Sequence, residues 1–340
     1  MKIIVDAMGG DNAPDAIVAG AVSASKEHDV DILLVGKTEE ILRSLQKLGL
    51  QELPKGVEIL NATETIEMSD DSIAAVREKR DSSMVVALHQ LHGGAGDALV
   101  SAGSTGALLS GATLIVKRVR GIRRAALAPF LPGRDGGVLI IDCGANVDCT
   151  PEYLLQFAYM GSYYAEDALG IKRPRIALLN NGTESSKGTE LQIATYELLS
   201  KAGDALNFIG NIEGSGVMNG ECDVVVCDGF SGNILLKTIE GSIKFALTQV
   251  KGAMTQNAKA KFGALLLKKG LTKLKHELSA DAVGGTILLG ISKPVIKAHG
   301  SSSAKAISAA IRQAKDAANS RIAEKLHENI DKMRIDATEL

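Results

Sequence analysis

The stretch Asp97-Ala-Leu-Val-Ser-Ala-Gly-Ser-Thr-Gly-Ala-Leu-Leu-Ser-Gly-Ala-Thr-Leu-Ile-Val116 decides how the chain is read. Ala98 to Val100 is a short apolar run of the kind a buried parallel strand needs. Ser101 to Gly106 is a small, glycine-rich turn, and Leu108 to Val116 reads as an apolar helix. Strand, tight turn and helix in that order point backbone N–H groups and hydroxyls at one spot, at the positive end of a helix dipole. That arrangement holds anions, and the chain repeats it.

Working outward, strand-like runs alternate with helical ones. Strands are expected at 3–5, 31–35, 57–60, 98–100, 137–141, 175–179, 206–209, 223–226 and 294–297. Helices are expected at about 14–26, 38–48, 69–79, 82–92, 108–116, 151–168, 232–250 and 302–333. The alternation predicts a mostly parallel sheet covered on both faces, with ligands at its carboxyl edge. The sequence carries no internal repeat and no low-complexity linker, so residues 1–340 read as a single α/β domain, two-lobed around a cleft.

Composition sets the outer bounds. The formal net charge is −2 over 340 residues, which gives no global case for nucleic-acid binding. No run approaches the length of a membrane span. Met1-Lys-Ile-Ile-Val5 reads as a strand and not as a signal peptide, which predicts a cytoplasmic protein. Cys143, Cys149, Cys222 and Cys227 lack the spacing of paired zinc ligands and read as reduced, mostly buried thiols. The 36 glycines suit many tight strand-to-helix turns.

One segment departs from the pattern. Lys251 to Lys275 holds seven lysines and no acidic residue. Within it Leu267, Leu271 and Leu274 follow i, i+4, i+7 spacing. A basic amphipathic helix of this kind either packs its leucines on the core or a second subunit, or meets an anionic membrane or an acidic protein.

Polar clusters stand at the ends of the expected strands. Asp6-Ala-Met-Gly-Gly-Asp11 follows the first, Asp142-Cys-Gly-Ala-Asn146 the 137–141 strand, and Asn180 to Lys187 the 175–179 strand. Asp228-Gly-Phe-Ser-Gly-Asn233, with Lys237 one turn later, follows 223–226, and Lys297-Ala-His-Gly-Ser-Ser302 follows the last. Asn146 is a neutral donor suited to a developing oxyanion, and His299 to proton transfer or anion contact. Gly182 to Thr189 imitates a Walker A loop, but its Lys and Gly are transposed. Gly94-Ala-Gly96 lacks the third glycine of a dinucleotide loop and precedes a strand. No GxSxG or HExxH occurs. Donor-rich turns, a few lysines and no ready covalent nucleophile suit direct attack by a bound anion.

Taken in order, Val5-Asp-Ala-Met-Gly-Gly-Asp11, Ser101-Ala-Gly-Ser-Thr-Gly-Ala107, Asp142-Cys-Gly-Ala-Asn146, Asp228-Gly-Phe-Ser-Gly-Asn233 with Lys237-Thr238 and Glu240-Gly241, and Lys297-Ala-His-Gly-Ser-Ser302 resemble the bacterial phosphate acyltransferases of phospholipid synthesis. The resemblance spans residues 5–302. Ser104 stands where the family usually has Asn, Asn181 where a hydrophobic residue is common, and Val283 where a Tyr commonly precedes Gly284-Gly285.

The resemblance implies a three-layer α/β/α fold, similar to the isopropylmalate dehydrogenase/phosphotransacetylase-like fold, with residues 251–275 as a protruding helical arm. It implies transfer of a long-chain fatty acyl group from acyl carrier protein to inorganic phosphate, without metal or nucleotide. It further implies a homodimer peripherally associated with the membrane, passing acyl phosphate to a membrane acyltransferase partner. Expected catalytic residues are Asn146, Asn233, Lys237 and His299. Expected phosphate ligands are Ser101, Gly103, Ser104, Thr105 and Gly106, helped by Lys187 and Ser301. The competing readings are a phosphotransacetylase using short-chain acyl-CoA, a non-catalytic lipid- or anion-binding regulator, and a nicotinamide dehydrogenase on the related fold.

Overall fold

The computed structural model describes residues 1–134, 136–277 and 284–334, with 272–277 as backbone only. Val283 and the side chain of Leu274 lie outside the described residues. The first part of the chain gives β1 (Lys2–Asp6), α1 (Asp15–His28), β2 (Asp31–Gly36), α2 (Thr38–Lys47), β3 (Val57–Asn61), α3 (Ser72–Glu78), α4 (Ser83–Gly93), β4 (Ala98–Ser101) and α5 (Thr105–Gly111), which runs on as a π-turn over Ala112–Val116. Next come β5 (Ala126–Leu131), β6 (Val138–Ile141), α6 (Pro151–Asp167), β7 (Ile176–Leu179), α7 (Glu190–Lys201), β8 (Phe208–Ile212), β9 (Val224–Val226), α8 (Gly229–Thr255) and α9 (Ala258–Glu277). Beyond residue 283 follow β10 (Thr286–Leu289), β11 (Val295–Lys297), α10 (Ala304–Asn319) and α11 (Ile322–Glu328).

Among the described residues the strands form one 11-stranded sheet, ordered β3-β2-β1-β4-β11-β10-β5-β6-β9-β7-β8. The sheet is parallel except at its centre. There β10 runs antiparallel to both β11 and β5, and β5 antiparallel to β6. β5 and β10 were not expected from the sequence. The carboxyl ends of β1, β4 and β11 therefore face one edge, and those of β6, β9 and β7 the other.

Alternation along the strands sorts the core into layers. Ile3, Val5, Val100, Ile296, Leu139 and Ile141 pack on one face under α1, α6 and α10, forming a core that runs the width of the sheet. Opposite, Ile4, Leu99 and Val295 pack under α3, α4 and α5. Val138, Ile140 and Val225 pack separately on Leu236 of α8. Between α5 and α8 the second face is left uncovered, and β10 and β5 floor the gap.

The three-layer α/β/α expectation holds. The helix expected over 302–333 breaks at Ser320–Arg321, where Arg321 has φ +50°. The expected arm over 251–275 spans the end of α8, a break at Gln256–Asn257 and most of α9.

Candidate active site

The gap between the two local cores is a cavity of about 910 Å³. Its floor is set by sheet register. Asp6 pairs with Ser101, Ser101 with Lys297, Lys297 with Thr286 and Thr286 with Pro129, so five residues make one row across five strands. Facing partners in a sheet share a face, so this row looks toward α5 and α8. Lys297, Thr286 and Pro129 line the cavity.

Lys297 is buried, and burial pulls its ammonium down to about 8, against the opposing pull of Asp6 and Asp11. Lys237 nearby adds a further downward push. The Lys297 ammonium donates to the backbone oxygens of Ala102, at 3.3 Å, and Ala298. Asp6 is buried too, and desolvation raises its pKa despite its hydrogen bonds. Its Oδ2 accepts from Ser101 Oγ at 2.6 Å, and Ser101 Oγ accepts from Gly103 N–H at 3.1 Å. Gly9 allows this packing, since a Cβ there would stand 2.6 Å from Gly103 N and 2.7 Å from Asp6 Oδ2.

The turn that anchored the sequence reading is thus largely committed to itself. Ser101, Gly103 and Ser104 are buried. The Ser101 hydroxyl serves Asp6, Gly103 N–H serves Ser101, and Ser104 caps α5 by accepting from Ala107 N–H. Thr105 is exposed and lines the cavity, and the first-turn N–H groups of Thr105 and Gly106 have no intrahelical partner.

The turn after β11 supplies the more open donors. His299 and Ser301 are exposed on the cavity wall. His299 Nδ1 accepts from Ser301 N–H at 3.3 Å and lies 2.9 Å from Ser301 Oγ. An accepting Nδ1 puts the neutral ring's proton on Nε2. This turn is fastened to the one after β1, with Asp11 N–H donating to the Gly300 carbonyl and Asn12 Nδ2 to those of Ser301 and Ser302.

The opposite wall is α8, capped by Asp228, whose carboxylate accepts from Ser231 N–H at 2.8 Å. Gly232 lets the helix start against β6, because a Cβ there would overlap the Asp142 carbonyl oxygen. Asn233 and Lys237 follow on the cavity side, and Lys237 pairs with Glu240 at 2.8 Å. Beyond them Leu236, Ile239, Ile243, Leu247 and Met254 extend an apolar stripe along the wall. From Leu236 to Met254 the helix rises about 27 Å. Ala264 and Leu271 of α9 add to the stripe.

Of the expected catalytic residues, Asn233, Lys237 and His299 therefore share one cavity, joined by Thr105 and Ser301 of the expected phosphate ligands. Asn146 does not line it. One amide hydrogen goes to the Ala125 carbonyl at 2.8 Å and the other to Asp142 Oδ2 at 3.0 Å, leaving none for a substrate oxygen. Asn146 braces Asp142, a buried carboxylate raised by desolvation that also accepts from Leu127 N–H at 2.8 Å and Asn146 N–H at 2.7 Å. Lys187 is exposed on the turn after β7 and does not line the cavity either. Lys297 and Asp6 stood inside quoted motifs, Asp6 in a turn that could contact a ligand or orient basic groups, but neither was among the expected site residues. The missed signal is a polar residue ending an otherwise apolar strand, repeated in Asp6, Ser101 and Lys297.

The structure resembles that of a phosphotransacetylase from Streptococcus pyogenes, at TM-score 0.63 and 22% identity over 94% of each chain. A phosphate acyltransferase of Thermoanaerobacter pseudethanolicus is 45% identical over 98% of both chains. One of Desulfitobacterium hafniense is 46% identical over 97% of this chain and 98% of its own. The family model for fatty acid synthesis proteins matches residues 1–325, and the chain belongs to that family, with the phosphate acyltransferases.

Proposed function

We propose that this protein transfers a long-chain fatty acyl group from the thioester of acyl carrier protein to inorganic phosphate. The supporting observation is a single cavity with a cationic, donor-rich end at Lys297, His299 and Thr105 and an apolar wall about 27 Å long on α8. Half the hydrocarbon thickness of a bilayer is about 15 Å, so the wall is long enough for a membrane-lipid chain. An acetyl group would leave most of it bare, which favours this reading over a phosphotransacetylase using short acyl-CoA.

In the proposed mechanism hydrogen phosphate sits against Lys297, Thr105 and the His299–Ser301 turn. The acyl chain lies along α8, with its carbonyl oxygen toward Asn233 and Lys237. A phosphate oxygen forms a bond to the carbonyl carbon, and the oxyanion is held by the Asn233 amide and the Lys237 ammonium. Collapse of that intermediate breaks the carbon–sulfur bond. His299 Nε2–H gives its proton to the departing sulfur, and the proton of hydrogen phosphate replaces it at Nδ1 by way of the Ser301 hydroxyl, 2.9 Å away. No covalent enzyme intermediate is needed, and rate comes from positioning and fixed charge.

The same reading covers the protein's setting in the cell. Phe262, Leu265, Leu266 and Leu267 of α9 are exposed beside Lys259, Lys261, Lys268 and Lys269. Among the described residues no helix is long and apolar enough to cross a membrane. A peripheral contact through α9, in a homodimer handing acyl phosphate to a membrane acyltransferase, suits that surface.

The test is to incubate the protein with palmitoyl carrier protein and phosphate and follow thiol release, beside acetyl-CoA and phosphate. The reading expects release with the first and little with the second. Faster turnover of acetyl-CoA would sink it in favour of a phosphotransacetylase, and acyl binding without turnover would favour a regulator.

A further inference from the structure

A second, smaller cavity of about 420 Å³ is lined by Arg118, Gly121, Ile122, Arg123, Arg124 and Tyr153. It belongs to Lys117-Arg-Val-Arg-Gly-Ile-Arg-Arg124, five cations in eight residues in a chain of net charge −2. All five cationic side chains are exposed, while Val119 and Ile122 are buried as anchors. Arg123 pairs with Glu152 at 3.2 Å, and Arg124 lies 5.6 Å over the Tyr153 ring. Among the described residues Lys117, Arg118 and Arg120 have no carboxylate partner.

The loop is held in a fixed shape. Val119 N–H donates to the Gly290 carbonyl and Ser292 N–H to that of Lys117, both at 2.9 Å. The buried Gln156 accepts from Arg123 N–H at 2.8 Å and donates to the Gly121 carbonyl at 3.3 Å. The loop also runs straight into the catalytic cavity. Arg124 stands three residues before Leu127, about 10 Å of extended chain. Leu127 lines the main cavity, and its carbonyl accepts from the N–H of Cys143, another lining residue.

We infer that the Lys117–Arg124 loop docks an acidic surface of the carrier protein that delivers the acyl thioester. This rests on the acyl-carrier reading above. Four of the five cations are arginines, whose planar forks match carboxylates bidentately. A prefixed loop loses little entropy on binding such a partner. The exposed Val147 beside Asn146 offers the apolar contact that a protein interface uses. A lipid surface fits less well, since the run of adjacent exposed apolar side chains that such a surface takes up is on α9, at Phe262 and Leu265 to Leu267.

The experiment compares two donors of one acyl group, palmitoyl carrier protein and palmitoyl pantetheine, on wild type, Arg118→Glu, Arg120→Glu and the remote surface control Lys172→Glu. The KM for the carrier donor should rise about tenfold in both arginine variants, and its salt dependence should flatten. Their kcat, their KM for the pantetheine donor and all values for Lys172→Glu should stay at wild-type level. Equal changes with both donors, or none, would overturn the assignment. So would lost binding to anionic vesicles with an unchanged carrier KM, which would give the patch to a membrane. Should wild type turn over neither donor, the parent reading fails. Direct titration with the carrier protein then still decides the patch, because weakened binding in the arginine variants supports it and unweakened binding refutes it.

Discussion

Replacing Lys297 by Met should make the protein inactive and more stable together. The ammonium is held at about 8 against an ordinary 10.5, because burial penalises its charge more than Asp6 and Asp11 favour it. At about 1.4 kcal/mol per pH unit, that drop corresponds to roughly 3 kcal/mol of stability forgone while the lysine is charged. The sign follows from proton counting. Between pH 8 and 10.5 the unfolded chain holds a proton at this site that the folded chain has released, so wild-type stability should climb with pH across that window. Below pH 8 both states are protonated and the full penalty stands. Met keeps the aliphatic volume and carries no charge, so urea unfolding at pH 7 should show a gain of up to about 3 kcal/mol, shrinking toward zero near pH 10. Thiol release with phosphate as acceptor should fall about 100- to 1000-fold, the usual loss on removing one preorganised donor from a transition state. Wild-type activity should itself decline as pH rises through 8. A Met variant that is less stable at pH 7, or that keeps its turnover, would refute the reasoning.

Four other substitutions separate catalysis from support. Asn233→Ala should cost about 100- to 1000-fold in thiol release without moving the urea midpoint, whereas Asn146→Ala should cost about 1–3 kcal/mol of stability, because Asp142 and the Ala125 carbonyl lose a buried partner. Leu247→Trp, halfway along the α8 stripe, should raise the KM for palmitoyl donors and leave that for hexanoyl donors unchanged. Gly232→Ala should destabilise by about 1–3 kcal/mol in urea titration, since its methyl group meets the Asp142 carbonyl oxygen.

Much of the architecture was legible because most strands are short apolar runs followed by turn residues. Lys2–Asp6, Ala98–Ser101 and Val224–Val226 are of that kind. The two central antiparallel strands escaped for a physical reason. Ala126-Leu-Ala-Pro-Phe-Leu131 carries a proline and two alanines, weak strand formers, and Thr286-Ile-Leu-Leu289 is four residues long behind a Gly-Gly pair. Only cross-sheet pairing stabilises them, and pairing between distant segments is not written in local pattern. Their absence also concealed the reversal of strand direction, and with it the gap that becomes the cavity. The turns after β4, β9 and β11 were legible as polar clusters. Their internal hydrogen bonds were not, which is why Asn146 and Ser101 read as free donors when both are committed to carboxylates. Lys297 was passed over because a strand-terminal lysine ordinarily reaches solvent, and its burial depends on the two strands that flank β11.

Only Gly229, Gly232 and Leu236 of the 27-residue α8 are buried, whereas the row from Asp6 to Lys297 lies in the middle of the sheet. The two ends of the cavity thus differ in stiffness. Moving the anion's partners means distorting the sheet, while the acyl wall moves by bending one lightly anchored helix. Under the proposed mechanism discrimination should divide accordingly, strict toward the nucleophile and tolerant toward the tail. A population of chains differing by a few carbons should be processed at similar rates, while phosphate analogues of other size or charge are refused.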